Sequence, residues 1–254
     1  LDAATGEAVV AGGLASGASQ PGHNVLMVDE SATRSGVVGL TISGPVRLDT
    51  LVSQGCRPIG RPLVVTRTAD EHVVLELGGH PAMDMVEQMA RELPEEQRQL
   101  LSKGLLVGHV IDETRRPLGR GNFLVRAIVG MDRDRRAVMM SDRVRPGQTV
   151  QFQARDARTA EEDLQLLLDA EQLTNRPFAG LLFTCNGRGR RLFEQPHRDP
   201  GIIEERLGPL PLAGFMAAGE IGPIGGRTYV HGQTAVLGML RPGAPPAAVE
   251  ATAD

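Results

Sequence analysis

Short aliphatic runs bounded by Gly, Pro or Ser dominate the first third of the chain, and such runs are typical of β-strands. Residues 8–16 (AVVAGGLAS) predict a strand that enters a tight glycine loop. Further strands are predicted at Asn24–Asp29, Val37–Ser43, Val46–Ser53, Leu63–Arg67 and Val73–Leu77. The last two lie close together along the chain, which predicts a β-hairpin. We therefore expect a β-meander without a clear helix in this region.

Helical periodicity begins after Gly78 and Gly79. Apolar residues recur at helical spacing from Met85 to Leu93, and Pro94 opens a second predicted helix that ends near Lys103. Later strands are predicted at Leu105–Ile111, Phe123–Val129, Thr149–Gln153, Phe178–Thr184, Leu210–Ala217 and Tyr229–Leu240.

The clearest helix is predicted at Ala160–Leu173, with Thr159 as its N-cap and a leucine-rich apolar face. A short helix is predicted at Ile202–Leu207. Strands and helices do not alternate regularly, so the pattern favours an α+β fold over a doubly wound one. We expect mixed, largely antiparallel sheets packed with helices in two subdomains.

Composition limits the function classes. Of the 254 residues, 41% are hydrophobic and 23% charged, which is ordinary for a globular protein. No apolar run reaches the ~20 residues of a membrane span, and the first residues lack a secretory pattern. We therefore expect a cytoplasmic protein without a membrane partner. The Pro/Ala-rich residues 242–254 are predicted to be a disordered tail.

Charge and residue usage argue against nucleic acid as a partner. The formal net charge is −4, and the chain has no Trp and one Tyr, so a basic or stacking surface is not expected. The two cysteines, Cys56 and Cys185, are predicted to be free thiols. No Cys/His spacing indicates a metal site.

Residues 180–189 (GLLFTCNGRG) form the most informative segment, because an apolar strand runs into a glycine-rich turn. We predict that Cys185, Asn186, Gly187, Arg188 and Gly189 contact a ligand. Arg188 offers a planar fork of donors for a carboxylate, and the glycines permit close backbone approach. The alternative is a buried thiol beside a surface turn.

A second cluster, at residues 208–226, contains Gly219, Glu220 and Gly222. Glu220 is the only charge between Arg206 and Arg227, so it could recognise an amine or pair with Arg188. The alternative is a structural salt bridge or an exposed loop carboxylate. We predict that this cluster and residues 185–189 line one pocket, with Arg188 and Glu220 satisfying each other when it is empty.

Three further residues are candidates for the site. His231, at the start of the last predicted strand, could be an acid, a base or a haem ligand, or a hydrogen-bonded core histidine. Cys56 beside Arg57 could be a reactive thiol, because cationic neighbours lower a thiol's pKa, or part of a tight turn. No sequence pattern supplies a catalytic triad or a nucleotide loop.

Several of these segments resemble the FIST family, a bacterial sensory family also found in some eukaryotic F-box proteins. The similar stretches are VSQGCRPIG (52–60), NFLVRAIVG (122–130), LLFTCNGRG (181–189), GFMAAGEIGPIGG (214–226) and YVHGQT (229–234). The resemblance implies that residues 1–79 are the C-terminal part of a FIST N-terminal domain. It implies that residues 80–241 are a FIST C-terminal domain.

The resemblance also implies signal input rather than catalysis. It implies a small polar ligand such as an amino acid, and a separate signalling output protein as partner. Some FIST relatives contain haem, in which case His231 is the first candidate ligand; we otherwise expect no cofactor. A haem-based gas sensor, a thiol-dependent acyl-transfer enzyme and a protein-binding adaptor remain alternatives.

Overall fold

Four β-sheets and the helices packed on them form the protein in the computed structural model, which describes residues 2–6, 8–102, 104–115, 117–119 and 121–243. The strands are β1 Gly12–Gly13, β2 Leu26–Val28, β3 Ser31–Thr33, β4 Val46–Gln54, β5 Cys56–Pro58, β6 Leu63–Thr68, β7 Val73–Leu77, β8 His80–Pro81, β9 Leu105–Val110, β10 Phe123–Asp132, β11 Ala137–Met140, β12 Thr149–Arg155, β13 Ala179–Cys185, β14 Leu212–Ala217, β15 Glu220–Ile224, β16 Arg227–His231 and β17 Thr234–Pro242. The helices are α1 Asp2–Thr5, α2 Ala82–Glu92, α3 Glu95–Leu101, α4 Ala157–Glu171, α5 Arg190–Phe193 and α6 Arg198–Leu207.

Six antiparallel strands close into a barrel in the order β11-β10-β9-β12-β6-β7, and β7 pairs back with β11. Aliphatic side chains fill its interior, among them Val107, Val138 and Val150, because residues on one face of each strand point inward. Helix α2 packs its apolar side, including Met85 and Met89, against this core. The barrel is therefore a packed core rather than a ligand cavity.

A four-stranded sheet has the order β14-β13-β17-β4, with β13 and β14 parallel and the other pairs antiparallel. Helices α4 and α6 cover one face, where Leu168 and Ile202 pack against Leu182 and Leu237. The opposite face is partly covered by a small sheet of order β1-β15-β16. There a Cβ on Gly222 would lie 2.9 Å from Val236, so only glycine lets β15 approach this closely.

The α+β class, with largely antiparallel sheets, is confirmed. The predicted hairpin between Leu63–Arg67 and Val73–Leu77 is also confirmed by the pairing of β6 with β7. Strands β4 and β6 lie before residue 79, yet they share sheets with β17 and β12, which lie after it. The division into two domains at residue 79 stays a prediction.

Three predicted elements differ in the structure. Residues 37–43 form no strand, because these aliphatic residues find nothing to pack against and Val37 is 94% exposed. Helix α4 begins earlier than expected, so its N-cap is Asp156 rather than Thr159. The single strand predicted over Tyr229–Leu240 is two strands, since Gln233 turns the chain with a φ of 64°.

Two further expectations concern the ends of the chain and the membrane. Residues 244–254, most of the predicted tail, lie outside the described residues, while Pro242 ends strand β17. Within the described part of the chain, no helix is long and apolar enough to cross a membrane.

Candidate ligand-binding site

The five family-like segments meet where the barrel joins the four-stranded sheet. The backbone N–H of Gly55 donates to the Gln233 carbonyl at 2.9 Å, and the Gln54 side-chain amide donates to the Phe123 carbonyl. The Asn186 N–H donates to the Ala217 carbonyl at 2.9 Å. The hydrogen bonds therefore hold one end of each of the strands β4, β10, β13, β14 and β17 together at this junction.

Arg188 lies inside this junction with 1% of its surface exposed. Its Nε and Nη2 donate to the two carboxylate oxygens of Asp199 at 2.9 and 2.6 Å. The Thr184 hydroxyl donates to the same carboxylate at 3.1 Å, and the guanidinium lies 5.2 Å from the Phe193 ring centroid. Two of the three guanidinium nitrogens of Arg188 thus donate to Asp199. The third, Nη1, is buried without a hydrogen-bond partner in the described structure.

Glu220 is fully buried, and its Oε2 accepts hydrogen bonds from the Thr234 N–H at 3.1 Å and the Thr234 hydroxyl at 2.6 Å. Burial raises the pKa of Glu220 to about 7, against the lowering effect of the Thr234 hydrogen bonds and of the Arg188 charge. The Cys185 thiol lies against the same carboxylate. Oε1 makes no hydrogen bond with a described residue.

Arg188 and Glu220 therefore share one buried neighbourhood, in which the charge of Arg188 acts on the Glu220 carboxylate. The expectation that they satisfy each other is wrong, because Asp199 takes the guanidinium and Thr234 takes the carboxylate. Arg188 has a different partner from the predicted one because helix α6 brings Asp199 next to the turn that carries Arg188.

Both cysteines are buried thiols. Burial and the Glu220 charge raise the pKa of Cys185, although the Gly187 N–H donates to its sulfur at 3.3 Å. Burial raises the pKa of Cys56 to about 12 and outweighs the nearby arginines. Of the two alternatives for Cys56, the raised pKa does not favour the reactive thiol, and its sequence neighbour Arg57 pairs with Asp156 at 3.2 Å.

An open cleft of about 490 Å³ borders this buried junction. We call it the rim cleft: one wall is the barrel rim with Arg126 and Asp142, and the other carries Gly219, His231 and Gln233. Gly219 and His231 were predicted site residues, whereas Arg126 and Asp142 were not. A single charge inside the apolar run FLVRAIV was the signal that could have identified Arg126.

Arg126 and Asp142 form an ion pair at the cleft, with 17% and 42% of their side chains exposed. Burial alone would raise the pKa of Asp142, but the hydrogen bonds from Arg126 and the Arg143 N–H, together with the charge of Arg126, outweigh it and hold the pKa below its usual value. Arg126 Nη1 also donates to the Val125 carbonyl at 3.1 Å. The rim cleft therefore presents a fixed cation and a fixed anion side by side.

His231 is buried, and its Nε2 lies 2.8 Å from the Gly222 carbonyl. A carbonyl only accepts, so Nε2 carries the proton and donates. Burial lowers the pKa of His231, which favours the neutral ring. Because this Nε2 is protonated and engaged, His231 does not fit the role of a haem ligand, and no described group of His, Cys, Asp and Glu could hold a metal ion.

The other predicted residues line the surroundings of the junction. Asn186 and Gly187 continue the turn after β13, and a Cβ on Gly187 would lie 2.6 Å from the Gln233 Oε1. Gly189 takes a φ of 57° at the start of α5 and borders a smaller pocket beside Thr184. Gly222 packs β15 onto the four-stranded sheet, away from the cleft.

Comparison with known proteins places this geometry in a family. The model of the FIST N domain matches residues 1–80, and that of the FIST C domain matches residues 82–223. An uncharacterised protein of Mycobacterium tuberculosis is 44% identical over 233 residues, or 91% of this chain and 60% of its own. An uncharacterised protein of Mycobacterium bovis is 45% identical over 237 residues, which are 92% of this chain and 61% of that protein. The chain thus spans about three fifths of these relatives' length. It belongs to the FIST family, whose domains are generally considered sensory domains that bind small ligands.

Proposed function

We propose that this chain is a non-catalytic sensory module that binds a small zwitterionic metabolite, of the amino-acid class, in the rim cleft. The observation that carries the proposal is the Arg126–Asp142 ion pair, which lines the cleft opposite His231. A separate signalling protein receives the output.

The ion pair suits a zwitterion because each of its charges matches one end of the ligand. The Arg126 guanidinium takes the ligand carboxylate, for which its planar fork of donors is well shaped. Asp142, whose lowered pKa keeps it ionised, takes the ammonium group. The two side chains pair with each other in the empty cleft and exchange partners when the ligand enters.

The remaining walls support a ligand of this size and polarity. Leu106, Val125 and Val230 give the cleft apolar surface, while Ser141 and Gln233 add polar groups. A volume of about 490 Å³ lies within the ~300–1,000 Å³ that is usual for small-molecule sites.

Support for a non-catalytic role comes from the thiols. A catalytic cysteine needs a lowered pKa and access to substrate. Cys185 is 7% exposed with a raised pKa, and Cys56 is 2% exposed with a pKa of about 12. These properties favour a binding module over the thiol-dependent enzyme.

A thermal-shift screen of the L-amino acids, followed by calorimetry, tests the proposal. A ligand at 100 times its dissociation constant adds about 2.7 kcal/mol, which raises the melting temperature of a chain of this size by about 5–10 °C. The amide and the N-acetyl derivative of the best ligand, each of which lacks one charge, should bind at least about tenfold more weakly.

Two variants and a matched control locate the site. Arg126→Gln should weaken binding of the amino acid, and this variant should bind the amino acid and its amide equally well. Asp142→Asn should likewise weaken binding of the amino acid, and it should bind the amino acid and the N-acetyl derivative equally well. Arg136→Gln is the control, because Arg136 pairs with Asp84 elsewhere on the barrel. If Arg126→Gln binds as the unaltered chain does, or if no amino acid stabilises the chain, the proposal fails.

A further inference from the structure

Strand β14 is the edge of the four-stranded sheet and has an open hydrogen-bonding side. It pairs in parallel with β13, from Gly180 opposite Leu212 to Cys185 opposite Ala217. The Gly180 N–H donates to the Pro211 carbonyl, and the Asn186 N–H donates to the Ala217 carbonyl, each at 2.9 Å. Because peptide groups alternate along a strand, those of Leu212, Gly214 and Met216 face away from β13.

Among the described residues, those that cover this edge lie at one end of it. The Leu14 N–H donates to the Gly219 carbonyl at 2.8 Å, and the Leu14 carbonyl accepts from Ala218 at 2.9 Å. The Ser16 hydroxyl then reaches the Met216 carbonyl. Beyond Ser16, no described residue makes a hydrogen bond to the outer side of residues 212–215. The segment from Leu14 to Ser16 thus ends where a further strand could continue along the edge.

An apolar pocket lies beside the open edge. It has a volume of about 240 Å³ and is lined by Leu182, Leu212, Phe215 and Met216, with the first turn of α6 at its far side. Phe215 is 46% exposed and Met216 42% exposed. An added strand would place alternate side chains in this pocket, as in other cases of β-augmentation.

Positive charge lies at the end of the same strand. Arg190 and Arg191 on α5 are exposed, and neither pairs with an acidic residue in the described structure. A Cβ on Gly189, the residue before them, would lie 3.4 Å from the Met216 side chain. The open backbone, the apolar pocket and two unpaired arginines are therefore contiguous.

We propose that the β14 edge is a docking site for an extended, acidic segment of a partner protein. Backbone hydrogen bonds to Leu212, Gly214 and the N–H of Met216 give affinity, and an apolar side chain fills the pocket. Acidic residues at one end of the segment face Arg190 and Arg191. The inference uses no residue of the rim cleft, so it stands independently of the ligand class proposed above.

The test uses the whole chain and an end-capped octapeptide that alternates valine with threonine and ends in two glutamates. Binding is followed by fluorescence anisotropy and by amide hydrogen exchange read by NMR. We expect the amides of Leu212, Gly214 and Met216 to become protected on binding. Those of Ala213 and Phe215, which the register directs at β13, serve as internal references.

Three probes separate the contributions. Methylating the peptide nitrogens of alternate residues on one edge should abolish binding, and methylating the other edge should leave it unchanged. Replacing both glutamates with lysine, or using the double variant Arg190→Glu and Arg191→Glu, should weaken binding about tenfold. Arg61→Glu, at another exposed arginine, should leave the affinity unchanged.

Three outcomes would overturn the proposal. One is no binding of the octapeptide, or protection at amides outside residues 212–216. Another is protection of Gly214 that rises with protein concentration without peptide, which would assign the edge to a second copy of the chain. The third is that the amides of Leu212, Gly214 and Met216 are already protected without peptide, to the same degree at every protein concentration. That result would mean that the chain covers the edge itself.

Discussion

Replacing Glu220 with Gln should remove a pH dependence from the stability of the fold. Burial raises the pKa of Glu220 from 4.5 to about 7, so the folded chain holds a proton that the unfolded chain releases. A carboxyl with a raised pKa contributes stability that is present below the unfolded value. That stability is lost as the pH rises through the folded pKa.

The size of the effect follows from the shift. At ~1.36 kcal/mol for each pKa unit, a rise from 4.5 to about 7 corresponds to roughly 3 kcal/mol. Because Glu220 is fully buried, solvent does not screen this difference. Gln resembles the protonated carboxyl in shape and keeps an oxygen for Thr234. The variant should therefore match the unaltered chain near pH 4 and exceed its stability by roughly 3 kcal/mol at pH 8.

Urea unfolding followed by far-ultraviolet circular dichroism is the suitable assay, since the chain has no Trp and one Tyr. The quantity of interest is the free energy of unfolding of the variant minus that of the unaltered chain at each pH. Glu204→Gln, at an exposed carboxylate, supplies the baseline for loss of a surface charge. A difference that stays constant between pH 5 and pH 8, or one that falls with pH, would refute the reasoning.

Three further substitutions test the packing of the junction by urea unfolding. Asp199→Asn leaves Arg188 buried without its counter-charge and should cost about 3–5 kcal/mol, whereas a cost below 1 kcal/mol would deny the pair a structural role. Gly55→Ala places a Cβ 2.6 Å from a backbone carbonyl and should cost about 1–3 kcal/mol, while Gly39→Ala meets no atom within 4 Å and should be nearly neutral. Asp156→Ala removes the ion pair with Arg57 and the acceptor of the Thr159 hydroxyl at the start of α4, which should cost about 1 kcal/mol; an unchanged midpoint would contradict this role.

Local patterns predicted the local elements well. The β6–β7 hairpin and α2 follow from short-range alternation and helical periodicity, which depend on neighbouring residues. Strand β11, with four residues between tight turns, was missed because so short a run carries little periodicity. The pairing of β4 with β17 joins distant parts of the chain, and no local pattern specifies it.

The sequence predicted several residues of the buried junction and of the rim cleft, but neither their hydrogen-bond partners nor the Arg126–Asp142 ion pair. Glycine-rich turns after apolar strands drew attention to Arg188 and Glu220, which both lie in the buried junction, yet their partners Asp199 and Thr234 depend on tertiary packing. Arg126 became a candidate only when the fold brought it beside Asp142 at the rim cleft. A charge in a strand has many possible partners, and only the three-dimensional fold selects among them.

The central position of β17 has a consequence for synthesis on the ribosome. This strand lies between β13 and β4, and it is made after every other described strand. Before it emerges, β4 has no neighbour in its sheet, and β13 and β14 form only a parallel pair. The barrel, whose strands end at residue 155, has no such dependence on β17. A nascent chain therefore completes the barrel and the four-stranded sheet at different times, and the four-stranded sheet is complete only when almost the last described residue has been made.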